Sequence, residues 1–132
     1  MRLKDLCKEA HQAAVDKGFW DGTTSKELRE QFGYPKDSKV ACRNVAELLM
    51  LCVTELAEAC EALRKGNRQK KVFFDDKVQI NDWQKDTAED ELADTFIRLA
   101  DMCEALDIDI EWQIKKKLEY NKSRPYRHGK KF

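Results

Sequence analysis

Residues 44–66 read NVAELLMLCVTELAEACEALRKG, and this stretch decides the fold. On a wheel at roughly 100° per residue, Val45, Leu49, Cys52, Ala59, Cys60 and Leu63 gather around Leu56. No Gly or Pro interrupts the run, and Gly66 stands where a left-handed residue closes a helix. The spacing predicts a long amphipathic helix over residues 44–65. Residues 86–106, DTAEDELADTFIRLADMCEAL, repeat the pattern, with Phe96, Leu99, Cys103 and Leu106 around Leu92. Asp86, Glu89, Asp90 and Glu91 crowd its start, as the positive end of a helix dipole favours.

Working outward, residues 3–17 form a first helix, with Leu3, Leu6, Cys7, Ala10, Ala13 and Ala14 at helical spacing and Gly18 as the stop. A loop punctuated by Gly22, Gly33 and Pro35 follows, with room for a short helical piece at Ser25–Phe32. Residues 67–84 turn from basic to aromatic (Val72, Phe73, Phe74, Trp83) without a clear period. Asp109 is the expected N-cap of a last helix that reaches about Asn121. Arg124-Pro125 then breaks it, because proline disfavours helix at the residue before it. A chain of 132 residues suits one domain. The expectation is a single all-α domain over residues 1–132, a bundle of four main helices.

Charged residues make up 38% of the chain, but Lys plus Arg and Asp plus Glu balance at 25 each. That balance gives no global field for nucleic acid or a membrane surface, so neither is expected as a partner. The exception is local: from Lys115 onward the chain is basic, with Glu119 the one acid. Five cysteines, an odd number without a CxxC pair, argue against a disulfide framework or a zinc site and for a reducing compartment. Cys52, Cys60 and Cys103 fall at apolar helical positions, as small buried hydrophobes do. With no apolar leader and no stretch of ~18 uncharged residues, the expected location is cytoplasmic.

A short internal echo carries the chemistry. Glu55-Leu56-Ala57-Glu58 in the second helix matches Glu91-Leu92-Ala93-Asp94 in the third. On both wheels the first acid falls at roughly −100° and the second at roughly −160° from the central Leu. Glu55 also has Leu48, Leu51, Ala59 and Ala62 for neighbours, and a carboxylate among apolar groups is costly unless neutralised. Acids at i and i+3 repel, and two such pairs between packed helices concentrate negative charge. A divalent cation relieves that repulsion. All-oxygen donors suit Mg²⁺, with Mn²⁺ as a substitute, better than zinc. Mg²⁺ takes further ligands from phosphates and polarises them, which is the equipment for phosphoanhydride hydrolysis. The plainer reading is that both pairs are solvated faces of a highly charged chain.

The two acid pairs on successive helices resemble those of the MazG-like all-α nucleoside triphosphate pyrophosphohydrolases. Residues 43–66 are similar to that family's metal helix and its exit. Residues 115–129, KKKLEYNKSRPYRHG, resemble its closing Lys…Asn…Arg-Pro element, and His11–Trp20, HQAAVDKGFW, is like a subset of its members. The resemblance implies hydrolysis of a ribo- or deoxyribonucleoside triphosphate to monophosphate and pyrophosphate, in control of nucleotide pools. It implies Glu55, Glu58, Glu91 and Asp94 as Mg²⁺ ligands and catalytic groups, with Lys117, Asn121 and Arg124 near the phosphates or sugar. It also implies a homodimer or homotetramer. One departure stands out: Thr54 occupies a position where many relatives carry a second Glu.

Trp20 has two readings, stacking on a nucleobase or packing at a helix junction. His11, beside the apolar stripe, reads more simply as a satisfied histidine than as a ligand. Two rival functions share the sequence features. One is another branch of the same superfamily, acting on dUTP or a phosphoribosyl nucleotide. The other is a non-catalytic helical interaction module whose basic tail docks a partner.

Overall fold

The computed structural model describes residues 1–21, 45–69 and 84–131. The expected helical piece at Ser25–Phe32, Cys42, the aromatic stretch Val72–Phe74 and Trp83 lie outside the described residues. Four helices follow in order: α1 (Leu3–Asp16), α2 (Val45–Arg64), α3 (Ala88–Ala105) and α4 (Ile110–Lys122). A tight turn at Tyr126–Gly129 completes the described chain, with Arg127 and His128 both at φ 52°. Every long element among the described residues is helical, and each lies within two residues of its expected bounds.

The ends of the helices follow from identifiable residues. Gly18 (φ 79°) and Gly66 (φ 74°) close α1 and α2 in the left-handed conformation that glycine adopts without penalty. At each, two N–H groups return to the last turn: Gly66 N to Leu63 O and Asn67 N to Ala62 O, and Gly18 N to Val15 O and Phe19 N to Ala14 O. Thr87 caps α3, its hydroxyl accepting from Asp90 N at 3.3 Å, while the Asp90 carboxylate accepts from Asp86 N at 3.0 Å. Asp109 caps α4, as its position predicts, accepting from Trp112 N at 3.0 Å.

Helix α3 is central. It packs against α2 on one side and α1 on the other, and α4 rests on α1. Cys7 and Ala10 of α1 meet Cys103 and Ala100 of α3, so the two helices run antiparallel with small side chains between them. On the other side, Val45 and Leu48 of α2 pack on Met102 and Leu106, near the far end of α3. The exit of α2 is tied to the start of α3. Asn67 O accepts from Ala88 N, and Glu89 accepts from Gln69 N at 2.9 Å and from Arg68 Nε at 2.6 Å. Contacts at both ends fix one antiparallel register for α2 and α3, and the middle turns of the two helices are set opposite each other.

That register corrects the wheel. Leu56 and Leu92, taken as the centres of the apolar stripes, are 48% and 42% exposed, and Leu49, Leu63 and Phe96 are exposed with them. Cys60 faces out as well, whereas Cys7, Cys52 and Cys103 are buried and free. The inward face of α2 is the neighbouring arc of Cys52, Glu55, Ala59 and Ala62. Small residues on that arc allow a close approach to α3, and the larger leucines are left on the outside.

The cap at Thr87 anchors the helix on which everything else packs. Thr87→Ala is expected to lower unfolding free energy in urea by about 1 kcal/mol with little change in slope. An unchanged midpoint would show that this cap does not hold the start of α3.

Candidate metal centre and adjoining cavity

The inward arcs of α2 and α3 carry acids. Glu55 and Glu91 are 7% and 8% exposed, and Asp94 is half-buried. One carboxylate oxygen from each of Glu55, Glu91 and Asp94 lies within 4.8 Å of the other two. Oxygens bound to a single Mg²⁺ at 2.0–2.1 Å stand no more than about 4.2 Å apart. The three need shift only slightly to share one ion, and hard carboxylate oxygens are the donors that Mg²⁺ and Mn²⁺ prefer. The donor set fits the cation.

Glu58 is exposed and outside this trio, yet among the surrounding like charges its carboxylate acts most strongly on Glu91. All four acids singled out in the sequence therefore belong to one electrostatic cluster. Thr54 is exposed and donates its hydroxyl back to Leu51 O at 2.7 Å.

Crowding is written into the proton affinities. Burial, then the charges of Glu58, Asp90, Glu55 and Asp94, push the Glu91 carboxyl up to about 7. Burial also raises Asp94, with the Lys85 ammonium opposing it. Two cations flank the acids: Arg98 Nε donates to Glu55 Oε1 at 2.6 Å, and Lys85 Nζ pairs with Asp90 Oδ2 at 2.8 Å.

Beside the trio, α1, α2 and α3 enclose a cavity of about 510 Å³. Its walls are mainly apolar: Ala10, Ala13 and Ala14 of α1, Phe19 just beyond it, Leu48 and Leu51 of α2, and Ile97 of α3. The polar groups on it are Lys17, Asp94, Arg98 and Asp101, so one acid of the trio also lines the cavity. Trp20 lies behind this wall, buried, its indole N–H donating to Asp101 Oδ1 at 2.9 Å. His11 Nδ1 donates to the same oxygen at 2.7 Å, and the two rings meet edge-on at 5.3 Å. His11 is thus a satisfied histidine, and Trp20 packs at the junction after α1. The Gly18 closure is what turns Phe19 and Trp20 toward α3.

Lys117, Asn121 and Arg124 stand elsewhere. They lie on or just beyond α4, where Lys117 and Arg124 cover the Tyr120 ring at 4.8 and 5.7 Å. Asn121 Oδ1 is buried without a hydrogen-bond partner among the described residues. None of the three lines the cavity. Sequence reasoning missed Arg98, Lys17 and Asp101. Arg98 did leave a signal: it falls at roughly −120° on the α3 wheel, between Glu91 and Asp94.

Comparisons with family models, curated proteins and solved structures return no match to this chain.

The raised Glu91 carboxyl makes metal-free stability depend on pH. Between the usual glutamate value of 4.5 and about 7, the folded state keeps a proton that the unfolded chain has released. Stability in EDTA is therefore expected to fall as pH rises through that interval and to level off above it, and Glu91→Gln should flatten the slope. Stabilisation by Mg²⁺ should be larger at pH 8 than at pH 5, because the ion displaces the proton. Identical pH slopes for the wild type and Glu91→Gln would contradict this origin.

Proposed function

We propose that this chain is a Mg²⁺-dependent hydrolase of nucleoside triphosphates, cleaving between the α and β phosphates to give monophosphate and pyrophosphate. The observation that carries the reading is the trio of Glu55, Glu91 and Asp94 set at the edge of an apolar cavity. Such a pairing suits a ligand with a flat, weakly polar end and a polyanionic end. A cavity of about 510 Å³ falls in the range that small-molecule sites occupy.

Glu55, Glu91 and Asp94 would hold the ion, which when bound supplies charge neutralisation at a phosphoryl oxygen and lowers the pKa of a bound water. Glu58, the solvent-facing acid of the four, is assigned to accept the proton of the attacking water. The apolar walls receive the base and keep bulk water from it. Lys17 and Arg98, the cations on the cavity wall, are the nearest partners for phosphate oxygens. The assignment of Lys117, Asn121 and Arg124 to substrate rests on their resemblance to the family's closing element alone, since none of the three lines the cavity.

The reading includes self-association as a homodimer or homotetramer. Leu49, Val53, Leu56, Cys60 and Leu63 form a 4-3 spaced stripe along the outer face of α2, all exposed, with Leu92 and Phe96 exposed on α3. A stripe of that spacing is the seam of helix-to-helix packing. Leu56→Glu is expected to shift the sedimenting species to monomer. A wild-type chain that sediments as a monomer at micromolar concentration would remove this part of the reading.

Pyrophosphate release from a panel of NTPs and dNTPs tests the activity. We expect release in Mg²⁺, none in EDTA, and a matching yield of monophosphate. Asp94→Asn and Glu91→Gln should each cost at least about 100-fold in turnover, since even groups behind metal ligands cost 10–100-fold. Orthophosphate release would move the cleavage point, and no turnover on any triphosphate would overturn the assignment.

A further inference from the structure

We infer that Arg98 is a built-in counter-cation of the carboxylate site: it holds Glu55 when no divalent ion is bound, and when displaced it serves the phosphates of a ligand in the adjoining cavity. The second half rests on the function proposed above; the first does not. Arg98 Nε donates to Glu55 Oε1 at 2.6 Å, across the α2–α3 contact. The Glu55 side chain is 9% exposed and that of Arg98 is 44% exposed, so the acid is fixed and the cation has room to move. Asp94 is one helical turn back on the same face, and both Asp94 and Arg98 line the cavity. A divalent ion on Glu55, Glu91 and Asp94 would compete with the guanidinium for the same carboxylate and repel it. The direction left for Arg98 is the cavity, whose wall it already forms. A guanidinium carries five N–H donors in a planar fork suited to phosphate oxygens, and the bond to Glu55 at Nε uses one.

The two roles give opposite signs in one variant. In Arg98→Gln, affinity for Mg²⁺ alone is expected to rise by about tenfold, because a competing cation is gone. Affinity for a non-hydrolysable α,β-methylene triphosphate, measured with Mg²⁺ present, is expected to fall by about tenfold or more, the usual worth of a charge-assisted hydrogen bond. Arg98→Lys, which keeps the charge without the fork, should restore the Mg²⁺ affinity to near wild type and recover only part of the analogue affinity. A brace that merely joins α2 to α3 would instead weaken both affinities together, and that outcome overturns the inference, as does an unchanged Mg²⁺ affinity. A spectroscopic readout needs no variant: the Arg98 Nε–H resonance should be protected from exchange in EDTA and lose that protection when Mg²⁺ is added. Persistence of that protection at saturating Mg²⁺ also overturns the proposal. If Mg²⁺ affinity rises in Arg98→Gln while no triphosphate is hydrolysed, the counter-cation role stands and the hydrolase reading falls.

Discussion

The structure depends on burying acids between two helices. Glu55 and Glu91 lie at the α2–α3 contact where a globular chain would ordinarily place leucine, and Asp94 stands beside them. Burying carboxylates close together is unfavourable twice, through desolvation and through mutual repulsion. The fold tolerates it because both ends of the hairpin are independently secured. At one end Met102 and Leu106 pack on Val45 and Leu48; at the other, residues 67–69 bond to the first turn of α3. The acids in the middle are held by anchors in which none of Glu55, Glu91 and Asp94 takes part.

Three devices manage the excess charge in the absence of a metal ion. Arg98 neutralises Glu55, Lys85 neutralises Asp90, and Glu91 retains a proton up to about pH 7. Under the function proposed above, a divalent cation on Glu55, Glu91 and Asp94 would take the place of the first and the third, while Lys85 stays with Asp90. The same geometry opens one acid, Asp94, to an apolar cavity, so the ion and the ligand's uncharged end would be served by adjacent surfaces of one helix.

Much of this was legible in the sequence, and the misreadings have a physical cause. The four helices and three of the signals at their ends, Gly18, Gly66 and Asp109, follow from local rules that depend on nearest neighbours. The burial of Glu55 follows from the wheel, where Leu48, Leu51, Ala59 and Ala62 flank it. The centre of the stripe was misplaced by one arc. A wheel weights the large residues, Leu49, Leu56 and Leu63, whereas the inward arc is built of Ala and Cys, which bring helices close while adding little hydrophobicity. With apolar groups on two arcs of α2, one chain cannot say which faces its own α3. Arg98 and Asp101 went unnoticed because, in a chain that is 38% charged, a charged residue means little until its partner is known. Their partners, Glu55 and Trp20, are more than 40 positions away.

The proposed function requires that Glu55, Glu91 and Asp94 bind one metal ion. Anomalous diffraction from crystals grown with Mn²⁺ tests it most directly, since the ion locates itself. One strong peak is expected at bonding distance from a carboxylate oxygen of each of the three, with Arg98 withdrawn from Glu55. Crystals grown with saturating Mn²⁺ that show no peak between α2 and α3, with Arg98 still on Glu55, would contradict it.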